Sequence, residues 1–275
     1  MPSPRETIDQ KPEGWSNAPE SYDASFASFT ALFAQDALRL ANVGPGQRVL
    51  DVCTGTGALA LIAAEAGAEV LAVDFSQGMI DHLHSKIRQK GMTNICAATM
   101  DGQALDLEDN SFDAAFSVFG VCFFPDRIAG FRELHRVTRP GGLAAVVNWC
   151  APERSDLFKV IMGAHREVFP DFPPPKTPPP GISLADPDLF KSEMHAGGFA
   201  RINLFTVRHI WTFSDPHVVY DSLVGVLPGF AGMLAAGGQA AREAFRSAII
   251  QAIRQKQGGG PYGLEGEAHI AVGVK

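Results

Sequence analysis

The sequence predicts an α/β fold with a mostly parallel sheet and helices on both of its faces. Two patterns predict it. Short apolar runs at residues 48–52, 70–74, 95–99, 112–121 and 143–149 have the length of buried strands, and stretches of helical periodicity separate them. Strands joined by helices of this length need crossover connections, which place neighbouring strands parallel.

The elements follow in order. Residues 1–14 are polar and carry three prolines, so a loose arm is expected. Over residues 21–40, Phe26, Phe29, Leu32, Phe33 and Leu38 recur at helical spacing, giving one or two helices that lead into the domain. The helix over 58–65 is rich in Ala and Leu and is stopped by Gly67. Ser76 caps the next helix, whose apolar face is Met79, Ile80, Leu83 and Ile87 and whose end is Gly91. Asp126 caps another, with Ile128, Phe131, Leu134 and Val137 on one face. Pro140, Gly141 and Gly142 form the turn into the fifth strand.

After Cys150 the rhythm changes. The stretch 170–180 is too rich in proline for a helix or a central strand. Asp186-Pro187 opens a helix that ends near Gly197, and residues 202–213 read as a long strand. Ser214-Asp215-Pro216 opens more helix, which returns over 239–256, and 268–272 alternates as a final strand. The division is a single domain over 15–275. Its core is 45–150, 186–213 and 266–275, and its substrate cap is 151–185 and 214–262.

Composition limits the function. Hydrophobic residues at 46% and charged residues at 19% describe a globular chain. A net charge of −7, with no basic run longer than the helix face of Lys86, Arg88 and Lys90, argues against nucleic acid as a partner. The four cysteines, Cys53, Cys96, Cys122 and Cys150, show no CxxC spacing, so reduced thiols and no metal are expected. No apolar stretch reaches the length of a membrane span, and a cytoplasmic protein is the default expectation.

The densest signal is Asp51-Val-Cys53-Thr54-Gly55-Thr56-Gly57, where the first strand gives way to a helix. Glycines there permit a tight turn and a close backbone approach, and the helix start offers free N–H groups. By itself this also fits a dinucleotide-binding turn. Three acids separate the readings. Asp51, Asp74 and Asp101 fall at the ends of the first three strands, on the edge of the sheet where ligands bind. Asp74 suits ribose hydroxyls, and Asp101 suits the adenine amino group. Asp51 would repel a pyrophosphate and attract an ammonium group. Adenosine with no phosphate and a cationic amino acid end describes S-adenosylmethionine.

These blocks resemble the class I S-adenosylmethionine-dependent methyltransferases, in the small-molecule branch that includes the quinone-biosynthesis (ubiquinone and menaquinone) enzymes. The stretch from Leu50 to Gly57 resembles the first motif, with Cys53 where many members carry Gly or Ala. Asp74, Phe75, Ser76 and Met79 lie in the likeness of the second. Asp101, Gly102 and Gln103 lie in that of the third, and the strand holding Ser117 and Phe119 in that of the fourth. Residues 136–142 resemble the turn before the fifth strand. The resemblance covers about residues 15–150. It implies a Rossmann-like seven-stranded sheet whose last strand is antiparallel, with helical cap insertions.

The resemblance also implies methyl transfer from S-adenosylmethionine, leaving S-adenosylhomocysteine, to a small-molecule acceptor. Cofactor contacts are expected from Tyr22, on a segment resembling an N-terminal lid, and from Asp51, Cys53, Thr54, Gly55, Thr56, Gly57, Asp74, Phe75, Ser76, Met79, Asp101, Gly102, Gln103 and Ser117. Substrate contacts are expected from Phe119, Phe123, Trp149 and Phe172, with Phe124, Phe230 and residues 224–228 as further walls. Such walls suit an apolar or aromatic molecule. The candidate general bases are His165, His209 and His217, with His217 first because it opens a helix of the cap. Two alternatives stay open: an NAD-dependent oxidoreductase on a related sheet, and a methyltransferase-like chain that binds its ligand without turnover.

Overall fold

The computed structural model describes residues 7–16, 18–171, 178–226 and 228–275. Its helices and strands, in chain order, are α1 (Pro12–Trp15), α2 (Pro19–Ser25), α3 (Ala27–Leu40), β1 (Arg48–Val52), α4 (Ala58–Glu65), β2 (Glu69–Asp74), α5 (Gln77–Lys90), β3 (Ile95–Thr99), β4 (Phe112–Val118), α6 (Arg127–Val137), β5 (Thr138–Trp149), α7 (Asp156–Val168), α8 (Pro187–Ala196), β6 (Arg201–Phe213), α9 (His217–Val226), α10 (Pro228–Ala236), α11 (Gly238–Gln257) and β7 (Tyr262–Val274).

The seven strands form one sheet in the order β3-β2-β1-β4-β5-β7-β6. The first five are parallel, and β7 runs antiparallel between β5 and β6. This is the Rossmann-like sheet with an antiparallel last strand that the sequence predicts. Strand order reverses between β1 and β4, so a crevice opens beyond their carboxyl ends.

The pleat of β1 assigns its residues to two cores. Val49 packs on one face with α3, α4, α5, α7 and α11, through Phe33, Leu59, Leu83, Val160 and Phe245. Leu50 and Val52 pack on the other with α6 and α8, through Phe131, Leu134, Phe190 and Met194. The caps are those expected: Ser76 accepts from the N–H of Met79, Asp126 from Ala129, and Asp186 from Asp188 and Leu189. Arg127 of α6 and Glu193 of α8 fasten that layer with a bidentate pair, one arm of which is 2.7 Å.

Three departures from the sequence expectation bear on the site. Where a loose arm was expected, residues 8–10 form a 3₁₀ turn and residues 12–15 form α1. The indole of Trp15 donates to the Asp9 carbonyl, and the Asp9 side chain accepts from the N–H of Gly229 in α10. A short polar segment is ordered here by side-chain bonds and one buried ring. Next, β4 ends at Val118 rather than 121, because Phe119 takes a left-handed φ of 56° and turns the chain. Finally, β7 begins at Tyr262, since it pairs along the whole length of β6 from Phe213 to Arg201. Among the described residues, no single helix is long and apolar enough to cross a membrane.

An aromatic cluster joins α3 to the crevice. Phe33 is fully buried, and its ring centroid lies 5.3 Å from Phe29, 5.4 Å from Phe119 and 5.3 Å from Trp149. Replacing Phe33 with Ala leaves a cavity beneath that wall. The expected loss is about 3–5 kcal/mol, read as a lower urea midpoint with an unchanged slope.

Candidate active site

The turn between β1 and α4 is built from left-handed residues. Cys53, Gly55 and Gly57 have φ of 59°, 55° and 87°. No atom lies within 4 Å of where a side chain on Gly55 would stand, so its backbone is open to a ligand. Two carboxylates hold this turn. Asp74, at the end of β2, accepts from the N–H groups of Gly55 and Ser76, both at 2.9 Å. Asp51 accepts from the Thr54 hydroxyl at 2.6 Å and from the backbone of Ala60 in α4. Burial pushes the Asp51 carboxyl up to about 7 and the Asp74 carboxyl up to about 6, although these bonds pull the other way.

The turn after β4 meets the turn after β1. A Cβ on Gly120 would overlap that of Cys53 and press on the Ser117 hydroxyl. The positive φ of Phe119 aims its ring at Trp149, at the end of β5; the two stack at 4.0 Å and 13°. A bulky residue in that conformation is uncommon, and the stacking is what holds it there.

Between these turns and the N-terminal helices lies a cavity of about 560 Å³, within the range of small-molecule sites. One part of its wall is Gly55, Asp74, Phe75, Met79, Thr99, Met100, Asp101, Gly102 and Gln103. Another part is Tyr22, Phe26, Thr30, Val118, Phe119 and Trp149, and Trp15, Phe123 and Phe124 complete it. Asp101 is shaped by its own turn, accepting from the N–H of Gln103 at 2.9 Å. The described lining residues include two carboxylates and no Lys, Arg or His.

Of the residues singled out from the sequence, Tyr22, Cys53, Gly55, Asp74, Phe75, Met79, Asp101, Gly102, Gln103, Phe119, Phe123, Phe124 and Trp149 share this cavity. Others stand behind the wall. Asp51 is 1% exposed and shapes the turn from beneath. Ser76 caps α5, and Gly57 starts α4. Ser117 is buried, and its hydroxyl has no hydrogen-bond partner among the described residues. Thr56 bonds to Asp23 of α2 at 2.9 Å. Asp23 also meets Lys86 at 2.6 Å and His82 at 3.3 Å. Burial raises the Asp23 carboxyl, but the three bonds together bring it below the ordinary range.

The three histidines are elsewhere. His209 pairs with Asp36 at 2.8 Å, and His165 stands beside Phe169 on α7. His217 is the first residue of α9, its N–H held by Asp215 at 2.9 Å, and it is not among the lining residues. The structure therefore does not bring the expected base to the cavity. Phe230 packs on Phe245 at 5.2 Å, and Val224 faces outward. Phe172 and Leu227 lie outside the described residues.

Gln10, Pro12, Phe26 and Thr30 are lining residues that the sequence reading missed. The first two fall in the segment expected to be loose. Phe26 falls in the apolar helical period of residues 26–38, which does not by itself separate a packed face from a cavity wall. Thr30 carried a readable signal, as a polar residue inside the apolar stripe of Phe26, Phe29 and Phe33.

Residues 49–142 match a family model described as a methyltransferase domain. Over 135 residues the chain is 37% identical to an uncharacterized protein of Mycobacterium tuberculosis, covering 49% of each chain. It is 36% identical over 141 residues to the demethylmenaquinone methyltransferase of Geobacillus kaustophilus, covering 50% of this chain and 60% of that one. The chain spans about half the length of the curated relatives it matches. The crystal structure of the YcgJ protein from Bacillus subtilis has the same fold, with a TM-score of 0.58 and 19% identity over 88% of this chain and 97% of that one.

The raised Asp51 carboxyl has a consequence for stability. Between the ordinary carboxyl value near ~4 and about 7, the folded chain binds more protons than the unfolded one. The stabilisation from the protonated acid is therefore full below the lower value and is lost as pH rises to the upper one. Half-buried His135 and buried His269, both held low by desolvation, oppose this trend, so the comparison is made against Asp51→Asn. The melting temperature of Asp51→Asn minus that of the ligand-free wild type should grow more positive from pH 5 to 7.5. A difference independent of pH would refute the assignment.

Proposed function

We propose, on the premise that residues 49–142 are a methyltransferase domain, that the chain transfers a methyl group from S-adenosylmethionine to a small apolar or aromatic molecule. The observation that carries this is the charge of the cavity wall: two carboxylates, aromatic rings and no cation among the described lining residues. A pyrophosphate in that space would meet Asp74 and Asp101 without a counter-charge, whereas a cationic nucleoside gains from both. This favours the methyl donor over a dinucleotide.

The residues present fit that donor. Asp74 spends one lone pair of each oxygen on Gly55 and Ser76 and keeps the rest for hydroxyl groups such as those of a ribose. Gly55 lets a ligand lie against the backbone. Phe75, Met79, Met100 and Phe124 offer apolar surface on the same side. When bound, S-adenosylmethionine supplies a methyl group on a positive sulfur that leaves as a neutral thioether. The faces of Phe26, Phe119 and Trp149 exclude water and hold a flat or apolar acceptor. With no imidazole or amine among the described lining residues, the contribution of the chain is to orient and desolvate the partners. Orientation alone is worth roughly 7–11 kcal/mol in favourable cases. The demethylmenaquinone methyltransferases among the relatives support an acceptor of this kind.

Calorimetric titration with S-adenosylhomocysteine and with NAD tests the reading. We expect binding of the first only, weakened about tenfold or more in Asp74→Asn by loss of charge-assisted hydrogen bonds. Preference for NAD, or Asp74→Asn binding as wild type does, would overturn it.

A further inference from the structure

We infer that Thr30 is a positioning residue: it turns the Tyr22 hydroxyl so that the oxygen lone pairs, not the proton, face the charged end of the methyl donor. The inference rests on the methyl-transfer reading above and concerns how the chain tells the charged donor from its neutral product.

The argument begins with proton counting. Thr30 is 2% exposed on the otherwise apolar face of α3. Its oxygen lies 3.1 Å from the carbonyl of Ala27 and 3.2 Å from the Tyr22 hydroxyl. Each hydroxyl has one proton. If Thr30 donates to Ala27, then Tyr22 donates to Thr30, and both protons are bonded inside the protein. If Thr30 donates to Tyr22 instead, the Tyr22 proton has no acceptor, because Thr30 is the only hydrogen-bond partner of that hydroxyl among the described residues. The first arrangement makes two bonds and the second makes one. At the buried Thr30 hydroxyl the first prevails, and each bond in such a chain strengthens the next.

Tyr22 lines the cavity, so the remaining lone pairs of its oxygen are then available to a ligand there. Burial, with the charges of Asp23, Asp74 and Asp51, pushes the phenol up to about 12, so it stays neutral and keeps the proton that Thr30 holds. An oxygen lone pair attracts the positive sulfur and the hydrogens of its substituents, whereas an O–H aimed the same way repels them. The uncharged thioether of the product feels little of either. The orientation of one hydroxyl is thus readable as a ratio of two affinities.

The test titrates S-adenosylmethionine and S-adenosylhomocysteine into wild type, Thr30→Val and Thr30→Ser. Thr30→Val keeps the shape, removes the acceptor and lets the Tyr22 proton turn inward. It should lower the affinity for the charged donor relative to the product by roughly three- to tenfold, the scale of one reoriented hydrogen bond. Thr30→Ser should restore the ratio. In a Tyr22→Phe background, Thr30→Val should change nothing. An unchanged ratio in Thr30→Val with product binding intact overturns the role of Thr30 alone. Wild type that binds neither nucleoside overturns the methyl-donor reading as well. Should Thr30→Val lose cooperative melting, Tyr22→Phe reads the same ratio, and a wild-type value there overturns the inference.

Discussion

The grip of Asp74 on the turn after β1 is the constraint from which the rest of the cavity follows. One carboxylate at the end of β2 holds the N–H of Gly55 in one turn and that of Ser76 in the next. It therefore fixes the glycine cradle and the start of α5 together. Asp51 does the same from below, tying Thr54 to the start of α4. Both acids are almost fully buried, and burial raises both. Keeping them costs free energy in the empty protein, which a cation placed beside them offsets.

The sheet brings the other half of the site to this cradle. Because strand order reverses between β1 and β4, the turns after the two strands sit side by side, and Gly120 against Cys53 shows how closely. The left-handed turn at Phe119 then throws its ring onto Trp149. A polar cradle and an aromatic wall thus share one space, and each comes from a strand end of the same sheet. The proposed reaction needs that contiguity, since donor and acceptor must meet in line.

The sheet and the cradle were legible in the sequence because their signals are local. Strand length, caps and glycine stops place β1 to β5 and α4 to α6 within a few residues, and the three acids mark the ligand edge. What was not legible depends on contacts distant in sequence. The order in residues 7–14 comes from Trp15 and from Gly229, more than two hundred residues from Asp9. The length of β7 is set by its partner β6, not by its own alternation. His217 had the right chemistry and a plausible cap position, but a helix start says nothing about which wall its first turn faces. Thr30 is the instructive miss. Its period put it in the core, where a lone hydroxyl must find a partner, and that requirement is itself a signal of a polar neighbour.

The absence of an imidazole among the described lining residues narrows the chemistry that the proposed reading permits. Burial pushes the Tyr22 phenol up to about 12, so it stays protonated, and the Cys53 thiol is pushed up by burial and by the Asp74 charge. The two acids on the wall are the groups that suit a cationic ligand, and a proton taken up there would cancel that attraction. A group cannot serve both ends at once. Under the proposed reading, an acceptor suited to this cavity therefore arrives with its electron pair already available, as a neutral amine or an enol does. Aromatic walls that exclude water strengthen the attraction between that electron pair and the positive sulfur, because little solvent is left to screen it. Seen this way, the lack of cations on the wall and the abundance of rings serve the same end: the attraction between donor and acceptor is left unshared.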